Sequence, residues 1–178
     1  MKTLLVVFLF TWPVWTNGQD QGAGGLPVTG CGPAHVEFEV KTDKNQHPTG
    51  QLEPGKALVY VFGDERRSPH VAYLGGPTVQ VGVDGTWMGA TRFQSYFFFP
   101  VTDGEHRLCV GWQSNIAKVA RVRRATNFTA QAGEVYYFRI VSERRQDREM
   151  EVWIEPVDGA EGALLISSSG LATSRVKN

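Results

Sequence analysis

Apolar and polar residues alternate with a period of two along most of this chain. In HVEFEV, residues 35–40, Val36, Phe38 and Val40 share one side while Glu37 and Glu39 share the other. Successive side chains of a strand point to opposite faces, so this stretch predicts a half-buried strand. The polar 41–54 stretch reads as a loop. KALVYVF, residues 56–62, is apolar on both faces and predicts a central strand. Residues 63–76 read as loop. Residues 78–83 alternate and run into Asp84-Gly85, a strong two-residue hairpin signal, with the return strand over 86–93. Residues 105–112 alternate again, setting Leu108, Val110 and Trp112 against Arg107 and Cys109. Further strands are predicted over 118–128, 135–142 and 150–157. SERRQDRE, residues 142–149, reads as a charged hairpin tip. Residues 159–168, with Ala163, Leu164 and Leu165, predict one short helix.

The stretch SYFFFP poses the sharpest question. Tyr96, Phe97, Phe98 and Phe99 are consecutive. The Thr102-Asp103-Gly104 turn signal closes their run. In a strand, Phe97 and Phe99 would point one way and Tyr96 and Phe98 the other. Each ring has about 150–250 Å² to bury, and a surface carrying all four would invite aggregation. The run therefore predicts a strand covered on both faces. The alternative is an exposed shelf for stacking a sugar or base.

About eight or nine short strands with regular turn signals predict an all-β fold, an antiparallel β-sandwich or small barrel with one C-terminal helix. No βαβ alternation appears. The expected organisation is a signal peptide over 1–18, a flexible Gly-rich tether over 19–30, one sandwich domain over 31–168, and a small, polar, disordered tail over 169–178.

The ends set the compartment. Lys2, the apolar run 4–15, and small residues before a cut between Gly18 and Gln19 form a secretory signal. The apolar run is shorter than the roughly 20 residues a spanning helix needs, so no membrane span is expected in the mature chain. Val28-Thr29-Gly30-Cys31 looks like a lipobox, but the polar 17–25 stretch separates it from the apolar run, so a lipid anchor through Cys31 is the lesser expectation. Removing Lys2 leaves 17 basic against 18 acidic residues of the 18 and 18 in the full chain. That balance offers no basic face for nucleic acid. The chain's two cysteines are Cys31 and Cys109. Disulfides persist in exported chains, so these two are expected to pair, with a reactive thiol or metal ligand as the alternative.

Candidate chemistry is sparse. His35, His47, His70 and His106 show no metal-ligand spacing, and neither a cofactor nor a metal is expected. His106 follows the Gly104 turn, where a bond to backbone would hold it. There is no nucleophile elbow and no phosphate-binding loop. Asp64 and Glu65 are adjacent and face opposite ways. Arg121, Arg123, Arg124, Arg144, Arg145 and Arg148 are interleaved with acids and read as salt-bridged rather than as an anion site. Asn127-Phe128-Thr129 matches the glycosylation sequon. Trp87, past a hairpin turn, and Trp153, on the glutamate side of its strand, are the residues with most promise as partner or sugar contacts.

Three blocks together resemble domain of unknown function 2846, found in exported bacterial proteins: GKALVYVF (55–62), VGVDGTWMGATRFQSYFFFPVTDGEHRLCVGW (81–112) and AGEVYYFRI (132–140). Val83-Asp84-Gly85 with Gly89 match its hairpin, and Tyr96-Phe97-Phe98 its aromatic strand. Gly104-Glu105-His106 match its turn, and Gly133 with Tyr136-Tyr137 its late strand. Asp103 stands where the family has proline. The resemblance covers about half the chain. It implies a compact sandwich like PEGA and transthyretin-like modules, a bacterial periplasmic or extracellular setting in which the sequon stays unmodified, and no known activity. The first functional expectation is a non-enzymatic exported module that binds an envelope or extracellular protein or glycan. The second is a carbohydrate-binding module using Trp87 or Trp153. The third is a hydrolase whose site would bring His106 or His70 to a serine or carboxylate.

Overall fold

The computed structural model describes residues 30–64, 78–114, 122–144 and 150–178. The expected signal peptide, its cut between Gly18 and Gln19, tether residues 19–29, the sites His70, Arg121, Arg145 and Arg148, and the 145–149 part of the charged tip lie outside them. In order come β1 (Phe38–Asp43), β2 (Lys56–Asp64), β3 (Thr78–Val83), β4 (Thr86–Thr91), β5 (Ser95–Thr102), β6 (Gly104–Gln113), β7 (Arg123–Ala130), β8 (Val135–Arg144), β9 (Met150–Val157), α1 (Gly159–Ser168) and β10 (Gly170–Val176). Strands β1-β10-β5-β2-β8-β9 form one sheet and β4-β3-β6-β7 a second. The fold is all-β, two sheets face to face, with one helix among the described residues, near the C-terminus. No helix among the described residues is long and apolar enough to cross a membrane.

The period-two pattern builds the core. Val59, Val61, Phe97, Phe99, Phe138 and Ile140 turn inward from the six-stranded sheet. Val79, Val81, Leu108, Val110 and Trp112 meet them from the other.

Strand β5 lies mid-sheet between β10 and β2. Its Phe97 and Phe99 enter the sandwich core. Tyr96 and Phe98 turn to the opposite face, where Leu165 and Ile166 of α1 close over Tyr60, Phe62 and Tyr96. Residues 44–55, with neither strand nor helix, run back along this face. The Tyr96 hydroxyl donates to the Pro48 carbonyl at 2.8 Å, and the Gly50 N–H donates to the Tyr60 hydroxyl at 2.7 Å. The aromatic run is thus covered on both sides, as its burial demands.

Helix α1 starts at Asp158, whose carboxylate accepts from the Glu161 N–H at 2.8 Å, an N-cap. Gly162 lets it sit flat on the sheet, because a Cβ there would lie 2.5 Å from the Tyr137 ring. At its far end His47 Nδ1 lies 3.0 Å and 2.9 Å from the carbonyls of Ile166 and Ser169.

Several expectations need correction. The tail does not fray: Gly170–Val176 is strand β10, paired with β1 from Phe38↔Val176 to Asp43↔Leu171. Its small residues suit a crowded place, with Ala172 buried in the core and the Ser174 hydroxyl accepting from the Ala90 N–H at 3.1 Å. The sandwich is not wholly antiparallel, since β2 runs parallel to β8 and β10 parallel to β5. The second follows from α1, which carries the chain from Tyr137 to the Ser95 end before β10 enters. Strand β1 begins at Phe38, because His35 has φ 64°, a left-handed conformation that no strand residue adopts. Strand β7 runs over Arg123–Ala130 and so extends past the expected end at Phe128; residues 118–121 of that expectation lie outside the described residues.

Candidate functional site

One end of the four-stranded sheet brings two separate sequence motifs together. Asp84 and Gly85 have φ of 51° and 81°, as a tight hairpin turn between β3 and β4 requires. The Asp84 N–H donates to the Arg107 carbonyl at 3.1 Å. Its Oδ1 accepts from the Arg107 N–H at 2.8 Å, and its Oδ2 lies 2.7 Å from His106 Nδ1. The other ring nitrogen, Nε2, lies 2.8 Å from the Thr102 carbonyl. His106 thereby ties the β3–β4 tip to the end of β5. The next turn is braced alike, with Asp103 Oδ1 accepting from the Ala132 N–H at 3.0 Å.

Burial works against the charged form of His106. The bond to Asp84, the Thr102 carbonyl and the charge of Asp84 outweigh it, so the imidazole is held above its ordinary value. Asp84 and His106 line a polar cleft of about 320 Å³ with Glu105, Arg107, Asn127, Phe128 and Thr129. A histidine and a carboxylate in a cleft are two members of a hydrolytic triad. Here the geometry opposes that use. A general base needs one nitrogen with a free lone pair, whereas Nε2 faces a carbonyl oxygen that can only accept.

The structure pairs Cys31 with Cys109, Cα atoms 5.1 Å apart, within the usual disulfide range. Cys31 rests over Gly82, where a Cβ would collide with its carbonyl oxygen. Trp87 secures the same segment. Its indole N–H donates to the Pro33 carbonyl at 2.9 Å, its ring meets Gly32, and the Arg123 guanidinium sits 5.7 Å from its centroid. Trp87 is half-buried, with its indole N–H and ring engaged within the fold. With its sulfur in a disulfide, Cys31 has none free for a lipid.

Trp153 is placed differently. It lies half-buried on β9, at the edge of the six-stranded sheet and on the face that α1 partly covers, and donates to Glu155 Oε1 at 2.6 Å. Beside it Arg139 forms a hub that the sequence pattern did not reveal. Its Nε and Nη2 donate to Glu155 Oε2 at 3.1 Å and 2.8 Å, its Nη1 pairs with Glu161 of α1, and Asp64 Oδ2 is 3.9 Å from Nε. The signal available was one arginine inside the apolar run VYYFRIV, which needed a partner.

Among the described residues, no group of three or more His, Cys, Asp or Glu side chains has an arrangement that could hold a metal ion. No protein-family model matches the chain, and no curated protein does either.

Proposed function

We propose that the protein is an exported, non-catalytic β-sandwich module that acts by contacting another envelope or extracellular component. The observation that carries this reading is how the reactive side chains are used. Both nitrogens of His106, the Nδ1 of His47, the indole of Trp87 and the guanidinium of Arg139 are engaged in bracing the frame. A rigid frame with its polar chemistry turned inward suits presentation of loops and edges to a partner. The strand ends Asp64, Arg144 and Met150 lie at one end of the six-stranded sheet, and Thr78, Gln113 and Arg123 at one end of the four-stranded sheet. The resemblance of residues 55–142 to domain of unknown function 2846 is in keeping with this reading, as is the secretory signal expected over residues 1–18. Photo-crosslinking from exposed positions Leu52, Met88 and Leu164 in producing cells is expected to give one recurrent adduct. Absence of any adduct, together with a turnover that H106Q abolishes, would overturn the proposal in favour of a hydrolase.

A carbohydrate contact is the second reading, and the structure favours Trp153 over Trp87 as its platform. Trp153 sits on an edge strand beside Glu155 and Arg139, groups suited to sugar hydroxyls. Glycan binding that quenches tryptophan fluorescence, lost in W153A and retained in W87F, is the expected sign. Retention in W153A would exclude this platform.

A further inference from the structure

We infer that Asp84, His106 and Thr102 form a pH-sensitive brace, closed when the His106 ring is doubly protonated and loosened as rising pH takes that proton away. The argument is one of donors and acceptors. His106 Nδ1 faces the Asp84 carboxylate at 2.7 Å and Nε2 faces the Thr102 carbonyl at 2.8 Å. A carbonyl oxygen only accepts, and Asp84 uses its second oxygen to accept from the Arg107 N–H. Only the imidazolium donates through both nitrogens. A neutral ring keeps one bond and turns a lone pair toward the other oxygen, which repels it. The His106 side chain is only 9% exposed while that of Asp84 is 45% exposed, so water reaches the carboxylate more easily than the ring.

Every element against the ring bears on this balance. From the β3–β4 tip comes the Asp84 carboxylate. From the end of β5 comes the neutral Thr102 carbonyl. From β7 comes the Phe128 ring, its centroid 5.6 Å away, with Asn127 and Thr129 beside it in the cleft and no charge. On β6 itself the flanking Glu105 and Arg107 side chains alternate away from the ring while lining the same cleft with charges of opposite sign, and the nearby Asp103 is occupied by the Ala132 N–H. Among the described residues Asp84 is the charged group hydrogen-bonded to the ring, and it favours the cation. The imidazole is held above its ordinary value by Asp84 and Thr102 against the opposing effect of burial. A raised folded pKa contributes stability that is complete below the unfolded value of about 6.5 and is lost as pH rises through the folded value.

The consequence is local. When the ring loses its proton, the β3–β4 tip and the β5–β6 turn come unlinked while Asp84 still holds the Arg107 N–H. The cleft wall is then stiff below the His106 transition and deformable above it.

The test is a nitrogen-detected NMR titration of the histidine rings in the mature, oxidised protein, with the His106 signals assigned by their loss in H106Q. Both ring nitrogens are expected to be protonated at pH 6, with a midpoint above 6.5 that falls in D84N. Urea unfolding between pH 6 and 9 should show wild type losing stability in this window and H106Q losing less. A His106 midpoint at or below 6.5, or a neutral ring at pH 6, would overturn the proposal. Parallel stability profiles for the two proteins would do the same. If H106Q does not fold, the wild-type titration with the D84N assignment decides alone.

Discussion

Removing the disulfide provides a quantitative test of how the N-terminal segment is held. Cys31 and Cys109 are 78 residues apart in sequence, and a crosslink of that span restricts the unfolded chain. The loop-entropy relation gives about 4.5 kcal/mol at 25 °C for a closed loop of that length. The same segment owes its place to the Trp87–Pro33 bond, a net contribution of about 1 kcal/mol that is lost if residues 30–33 lift away. Against a typical total of about 5–15 kcal/mol, the double variant C31S/C109S should therefore lose roughly a third to nearly all of its stability. The assay is equilibrium urea unfolding of the oxidised wild type and the double variant, followed by fluorescence. The midpoint should fall sharply and the slope should rise slightly, because an uncrosslinked unfolded chain exposes more surface. A loss below about 1 kcal/mol on the same scale would refute the reasoning. It would mean that the segment is held without the bridge or that the bridge is strained enough to cancel its gain.

Gly162→Ala drives a methyl group into the Tyr137 ring and should cost about 1–3 kcal/mol in the same unfolding assay, although alanine is the better helix former. The Tyr96 phenol is pushed up to about 12, by burial first and then by Tyr60. Its share of stability is present below about pH 10 and lost as pH rises through 12, so absorbance at the phenolate band should lag behind model tyrosine and jump together with alkaline unfolding. Arg139→Met removes the Arg139 hydrogen bonds to Glu155 and Glu161 and should cost about 2 kcal/mol by thermal and urea unfolding. Asp103→Ala removes one acceptor for the Ala132 N–H and should cost about 1 kcal/mol.

The sandwich was legible in the sequence because period-two burial leaves a direct trace. Phe97 and Phe99 against Tyr96 and Phe98 announced a strand with two covered faces, and the structure supplies a sheet for one pair and a helix for the other. Asp84-Gly85 announced its hairpin through residues that tolerate positive φ. What escaped was pairing at long range. Strand β10 has the composition of a tail, and only its fit against β1, some 130 residues earlier, with Glu39–Arg175 and Glu37–Lys177 across the pair, makes it a strand. The parallel β2·β8 pairing leaves no local mark, because strand direction is set by crossovers and not by side-chain alternation. The site was legible in pieces only. Asp84 and His106 stand in motifs 22 residues apart, each readable as a turn, and nothing local says that one bonds the other. Trp87 and Trp153 look alike in sequence, and their different engagement depends on where Pro33 and Glu155 come to lie.

Hydrogen exchange followed by mass spectrometry on the oxidised mature protein probes the doubly covered sheet most directly. Amides of β5 and β2 should exchange slowest of all, and those of Gly170–Val176 should be protected well above an unstructured chain. Rapid exchange across Ser95–Thr102, or an unprotected C-terminal segment, would contradict the architecture on which the account of the bracing side chains rests.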